Sequence, residues 1–133
     1  MTSRRDVIDL LIMENANLIG GYQSHLDVEE YYESITLPKK LSTTEFIEVV
    51  NVEVQKEYLK QLREGRTKRM TATDFLMVSD FPYPSIEIKT AWRNYRQALR
   101  DLPATNYTVQ LDEEMEYFVV TWPTAPIWPA NVV

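Results

Sequence analysis

The chain has 133 residues, 44% hydrophobic and 26% charged, the composition of one folded domain with a modest core rather than of a disordered tail. Its formal net charge of -6 argues against a nucleic-acid partner, and the absence of cysteine excludes disulfides and thiolate metal sites. Three glycines leave no means of building a glycine-rich phosphate loop.

The opening "MTSRRDVIDLLIMEN" sets two arginines before a short apolar run, but Asp9 and Glu14 break that run and no small-residue cleavage pattern follows. No uninterrupted apolar stretch approaches the ~20 residues of a membrane span, so the expectation is a soluble intracellular chain with no membrane partner. Residues 4 to 19 fit two elements equally. Val7, Leu10 and Leu11 suit a helix, whereas "VIDLLIM" also reads as a buried strand, and Gly20-Gly21 ends either one. Asp27 precedes Glu30 at capping-box spacing and predicts a short helix in "LDVEEYYESI", closed by Pro38.

Ser42 and Glu45 repeat the capping-box spacing, and Leu41 and Phe46 stand at the two positions of a hydrophobic staple. From there Ile47, Val50, Val54, Tyr58 and Leu62 fall on a stripe about 120° wide at the helical period. Val49 and Val52 lie off it. The spacing predicts a helix over 43–72, weakened at Gly65, since glycine costs about 1 kcal/mol against alanine inside a helix. "TDFLMVSDFPYPS" follows as a loop with two X-Pro steps. A second helix is predicted over 86–102 from an N-cap at Ser85. Its apolar positions are Ile88, Trp92, Tyr95, Leu99 and Leu102, Arg100 suits its last turn, and Pro103 is expected to halt it. Two β-prone runs, Tyr107 to Leu111 and Tyr117 to Trp122, flank an acidic turn and predict a hairpin.

The expected fold class is therefore α+β and mainly α: an antiparallel helix pair (43–72 and 86–102) with a small C-terminal β-hairpin. Residues 1–41 form an N-terminal region of uncertain structure, and 42–133 a helical module with a β-prone tail. Tyr58, Leu62, Trp92, Tyr95 and Leu99 are its expected core.

Candidate chemistry is sparse. His25 is the only histidine, and Ser24 adjoins it in sequence, a placement that rarely lets two side chains face one another as a triad needs. The carboxylates at Glu29, Glu30, Glu33 and at Asp112, Glu113, Glu114, Glu116 lack calcium-loop spacing. No catalytic residue, cofactor or metal is expected. Charge is uneven: residues 56 to 100 hold ten basic side chains against five acidic, and the rest of the chain holds four against fifteen. Arg93, Arg96 and Arg100 share one side of the second helix, either pairing with carboxylates elsewhere in the chain or meeting a partner. Trp122 and Trp128 are further partner-binding candidates, because a tryptophan in a proline-rich tail suits docking.

The pieces "RTKRM", "TDF", "SDFPYP" and "AWRNYRQALRDLP", with "TWPTAP" at 121–126, resemble the C-terminal module of bacteriophage tail assembly chaperones and tail fibre assembly proteins, over roughly residues 66–126. Phe75 replaces the usual tryptophan of that pattern. The acidic segment 104–120 is longer than the family's usual link, and the first 41 residues match no part of the family pattern. The resemblance implies a non-enzymatic role, with a phage tail or tail fibre protein as partner, in the host cytoplasm during assembly. A homo-oligomer stays open. The alternative is a structural tail, fibre or baseplate-associated protein retained in the virion.

Overall fold

A computed structural model describes residues 2–16, 22, 27–36 and 39–127. Among these it holds four α-helices: α1 (Arg4–Ala16), α2 (Val28–Ser34), α3 (Thr43–Thr73) and α4 (Ile86–Thr105). A 3-10 turn, Asp74–Met77, follows α3 directly. Gly20, Gly21, His25 and Pro38 lie outside the described residues.

Every helix start carries a side chain on its own free amides, which explains where each begins. At α1, which is helix and not strand, the Ser3 amide donates to Asp6 Oδ2 (3.0 Å) and the Asp6 amide to Ser3 Oγ (3.1 Å). The Ser3 amide on that carboxylate holds Asp6 below the usual carboxylate range, against the opposing effect of burial. The Glu30 amide donates to Asp27 at α2 (3.1 Å). At α3, Ser42 and Glu45 exchange bonds reciprocally, Ser42 N to Glu45 Oε1 (3.3 Å) and Glu45 N to Ser42 Oγ (3.2 Å). Ser85 Oγ accepts from the Ile88 amide at α4 (3.3 Å).

At its other end α4 departs from the expectation: it runs through Pro103 to Thr105. A proline so near a helix end forfeits one amide donor. Thr105 Oγ1 donates to the carbonyls of Asp101 and Leu102 (both 3.3 Å), and the Asn106 amide donates to Leu102 O (2.8 Å). The last turn is thereby held.

The chain divides into two compact units, Met1–Gln61 with Thr108–Val119, and Leu62–Tyr107 with Val120–Val133, the division falling within α3. In the first unit Ile8, Ile12, Tyr32, Phe46 and Tyr58 are fully buried. Tyr32 stacks on Phe46 with ring centroids 3.9 Å apart, and its hydroxyl donates to Leu41 O (2.8 Å). Tyr58 packs against Phe118 at 6.1 Å. Burial pushes the Tyr58 phenol up, and its hydroxyl has no hydrogen-bond partner among the described residues.

Phe118 belongs to the segment expected to form a hairpin, and that expectation is corrected: among the described residues there is no strand. One isolated antiparallel bridge joins Leu111 and Phe118. The reason is physical. The connection lacks glycine, so Met115 takes the left-handed conformation itself (φ 56°), and the Asp112 carboxylate accepts the Glu116 amide (2.9 Å) inside the turn. The Glu116 carbonyl is then taken by the Arg4 amide at the start of α1 (2.8 Å), not by a neighbouring strand. Just beyond the bridge the Val119 amide still donates to Gln110 O (2.9 Å), and the outer ends of both runs, Tyr107 and Trp122, belong to the second unit.

Ser42→Ala removes half of the capping box and is expected to lower stability by about 1 kcal/mol. Urea denaturation followed by circular dichroism measures it, and an unmoved midpoint would show that the box contributes nothing.

Candidate functional site

The second unit is built on the end of α3, the 3-10 turn, the proline-bearing loop and α4. Its centre is a cluster of Leu76, Trp92, Tyr95 and Leu99, with Met70, Phe81, Tyr83, Ile88 and Trp122 packed against it. Trp92 and Tyr95, three apart on α4, meet edge to face at 5.7 Å. The Tyr83 hydroxyl donates to the Leu76 carbonyl, tying the loop to the turn. Leu62 is buried as well, and Tyr58 lies in the first unit's interior.

Of the three arginines placed on one side of α4, the structure separates one from the other two. Arg96 is only 5% exposed. Its Nη1 donates to Met70 O (2.9 Å) and Thr73 Oγ1 (2.7 Å), and its Nη2 to Asp74 Oδ1 (2.8 Å). A guanidinium fork thus closes the C-terminal end of α3, where unpaired carbonyls and the helix dipole favour a cation. Arg93 and Arg100 stay exposed. Arg100 donates to Gln97 (3.2 Å), while Arg93 makes no ion pair among the described residues.

Trp122 is half-buried, and α3 makes room for it. A Cβ at Gly65 would stand 2.5 Å from Trp122 Cζ2, so only glycine lets the indole lie on the helix backbone here. The Arg69 guanidinium covers the ring at 3.6 Å from its centroid and donates to Gly65 O (3.1 Å). Sequence reading takes Gly65 for a weak point; its function in packing rests on a residue 57 positions away, and no local pattern announces it. Trp128 lies outside the described residues.

An apolar set is exposed as well. Phe75, Val78 and Ile86 are more than half exposed, and Met77 is exposed too. All four lie on or beside the connection from α3 to α4. Phe75 rests edge-on against Phe81 at 5.6 Å, so it is presented from a fixed base. Such a patch on a rigid support suits protein contact. Among the described residues no group of three or more acidic or histidine side chains could hold a metal ion, and no helix is long and apolar enough to cross a membrane.

Substitutions at Arg96 and at the Gly65–Trp122 contact test this architecture. Arg96→Ala is expected to cost about 2 kcal/mol, because it strands the Met70 carbonyl and exposes the helix end; Arg96→Lys should recover only part, one ammonium being unable to span three acceptors. Gly65→Ala should destabilise the protein, yet stabilise it by up to about 1 kcal/mol in a Trp122→Ala background, where helix propensity acts alone. Thermal melts of the four proteins of that cycle supply the comparison, and a Gly65→Ala effect of the same sign in both backgrounds would refute the contact.

The family described as phage tail assembly chaperone protein matches residues 59–127 of the 133, just over half of the chain. No curated protein and no solved structure matches it. The matched stretch contains the Arg96 fork, the Trp92–Tyr95 cluster, Gly65 with Trp122, and the exposed Phe75. The chain belongs to the phage tail assembly chaperone family.

Proposed function

We propose that the protein is a non-enzymatic chaperone or adaptor that holds a phage tail or tail fibre protein during assembly in the host cytoplasm. The observation carrying this reading is the exposed apolar set Phe75, Met77, Val78 and Ile86, borne on the clamped end of the helix pair inside the family-matched stretch. A chaperone has to cover apolar surface on its client and later release it. Side chains over a fixed base offer contact area at little ordering cost, which favours reversible grip. Arg93 and Arg100, exposed on α4, supply the polar margin, where charges steer encounter more than they add affinity. Trp122 contributes its open edge, and its seat on Gly65 fixes where that edge lies.

Co-expression with the neighbouring tail genes tests the reading. The soluble yield of one tail or fibre product should rise with the chain present and fall back with Phe75→Asp combined with Val78→Asp, both exposed and so compatible with folding. Client solubility indifferent to the chain would refute it. Mass spectrometry of purified virions adds a second arm, since a stoichiometric band would assign the protein to the particle instead of to a transient role.

A further inference from the structure

Val49 and Val52 stand outside the stripe that α3 turns to the core, and Val52 is more than half exposed. α1 shows the same doubling: Ile8, Leu11 and Ile12 are buried, while Leu10 is more than half exposed and Val7 half-buried. In the first unit Val7, Leu10, Leu11 and Val49 floor an open groove of about 850 Å3 between α1 and α3. A smaller hollow of about 380 Å3, floored by Leu41, Val49 and Val52, continues it. Two helices thus each present an apolar second face on which no other described residue is laid. Along α3 the groove runs from Val49 to Lys60, about 17 Å at the helical rise, which is three turns of a helix.

The rim has a sign. Asp6, Glu14, Glu53 and Glu57 line the groove against Lys56 and Lys60, and the hollow adds Glu45 and Glu48 with no cation. One of the two lysines, Lys56, is already held by Glu53 at 3.1 Å.

From floor and rim together we propose that this groove docks a basic amphipathic helix of another protein, with apolar anchors at helical spacing on the floor and lysine or arginine flanks against the carboxylates. An acidic rim repels nucleic acid and anionic membrane alike. A two-fold pairing of copies through the groove would set rim on rim. The chain's own basic helix, α4, has committed Trp92, Tyr95, Leu99 and Leu102 to burial, and its one exposed large apolar residue, Ile86, cannot supply a row of anchors at helical spacing. Except for Lys60 the lining lies outside residues 59–127. The groove is therefore a second holding surface, independent of the apolar patch beside α4.

The test titrates the full chain into three labelled synthetic helices followed by fluorescence anisotropy. One carries leucines at i, i+3, i+4 and i+7 with lysines on the other face; a second replaces each lysine by glutamate; a third keeps the lysines and replaces the leucines by serine. Saturable binding of the first alone is expected. Leu10→Asp, at an exposed position and checked for an unchanged melt, should abolish it, as should Val52→Asp in part. Glu53→Lys with Glu57→Lys should weaken it about tenfold. Equal binding of the first two helices, or binding of the serine helix, would overturn the proposal. So would full binding by a folded Leu10→Asp protein, or a dimer in sedimentation that the same variant dissolves. None of these outcomes bears on the Phe75 surface, so the two readings fail separately.

Discussion

A charged group buried at the end of a helix sets the geometry of the second unit. Left in an apolar interior, the Arg96 guanidinium would be strongly unfavourable; bonded through both Nη atoms to a carbonyl, a hydroxyl and a carboxylate, with Nε unpartnered among the described residues, it becomes a joint between α3 and α4. Its acceptors come from the last turn of α3 and the first residue of the 3-10 turn, and its own backbone sits mid-way along α4. The direction in which the chain leaves α3 is therefore tied to α4 by three short bonds. The cluster of Leu76, Trp92, Tyr95 and Leu99 forms beside this joint, and Tyr83 binds the intervening loop to the turn. The exposed Phe75 follows Asp74 directly, so the apolar patch proposed to meet a client is positioned by the same fork.

Around the joint, local preference gives way to packing at several points. Gly65 weakens α3 where it stands and admits the Trp122 ring onto the backbone, with Arg69 closed over the indole. Pro103 gives up a helical amide, and Thr105 and Asn106 cover the carbonyls near it. Met115 accepts a left-handed backbone so that a glycine-free turn can deliver Phe118 to Tyr58. At Gly65 the local cost is about 1 kcal/mol, comparable to the gain from burying part of a large aromatic ring. The first unit adds exposed apolar residues, Leu10 and Val52 among them, along the groove proposed to dock a helix and the hollow that continues it.

Much of the helical layout was legible in the residues. The starts at Asp27, Ser42 and Ser85 are short-range devices in which a side-chain oxygen meets an amide two or three positions on, and the periods of α3 and α4 follow from burial on one face. The motif string "AWRNYRQALRDLP" was likewise readable, and the family match rests on the same stretch. The choice of helix for residues 4 to 16 was not, because the apolar run suits both periods; the Ser3–Asp6 cap decides for helix. The hairpin failed for a different reason: β-propensity describes a residue's fit to a half-buried sheet, and among the described residues no neighbouring strand supplies one.

The sequence by itself determined where α2, α3 and α4 begin, which stripe α3 and α4 bury and which family the module joins, because capping, helical period and motif are all patterns among residues close along the chain. Only the tertiary structure decided that Arg96 leaves the solvent while Arg93 and Arg100 stay in it, that Gly65 exists for Trp122, and that residues 108 to 119 pack as a turn with a single bridge. Those outcomes depend on groups far apart in sequence meeting across an interior, where desolvation and shape outweigh local propensity and no spacing rule reaches.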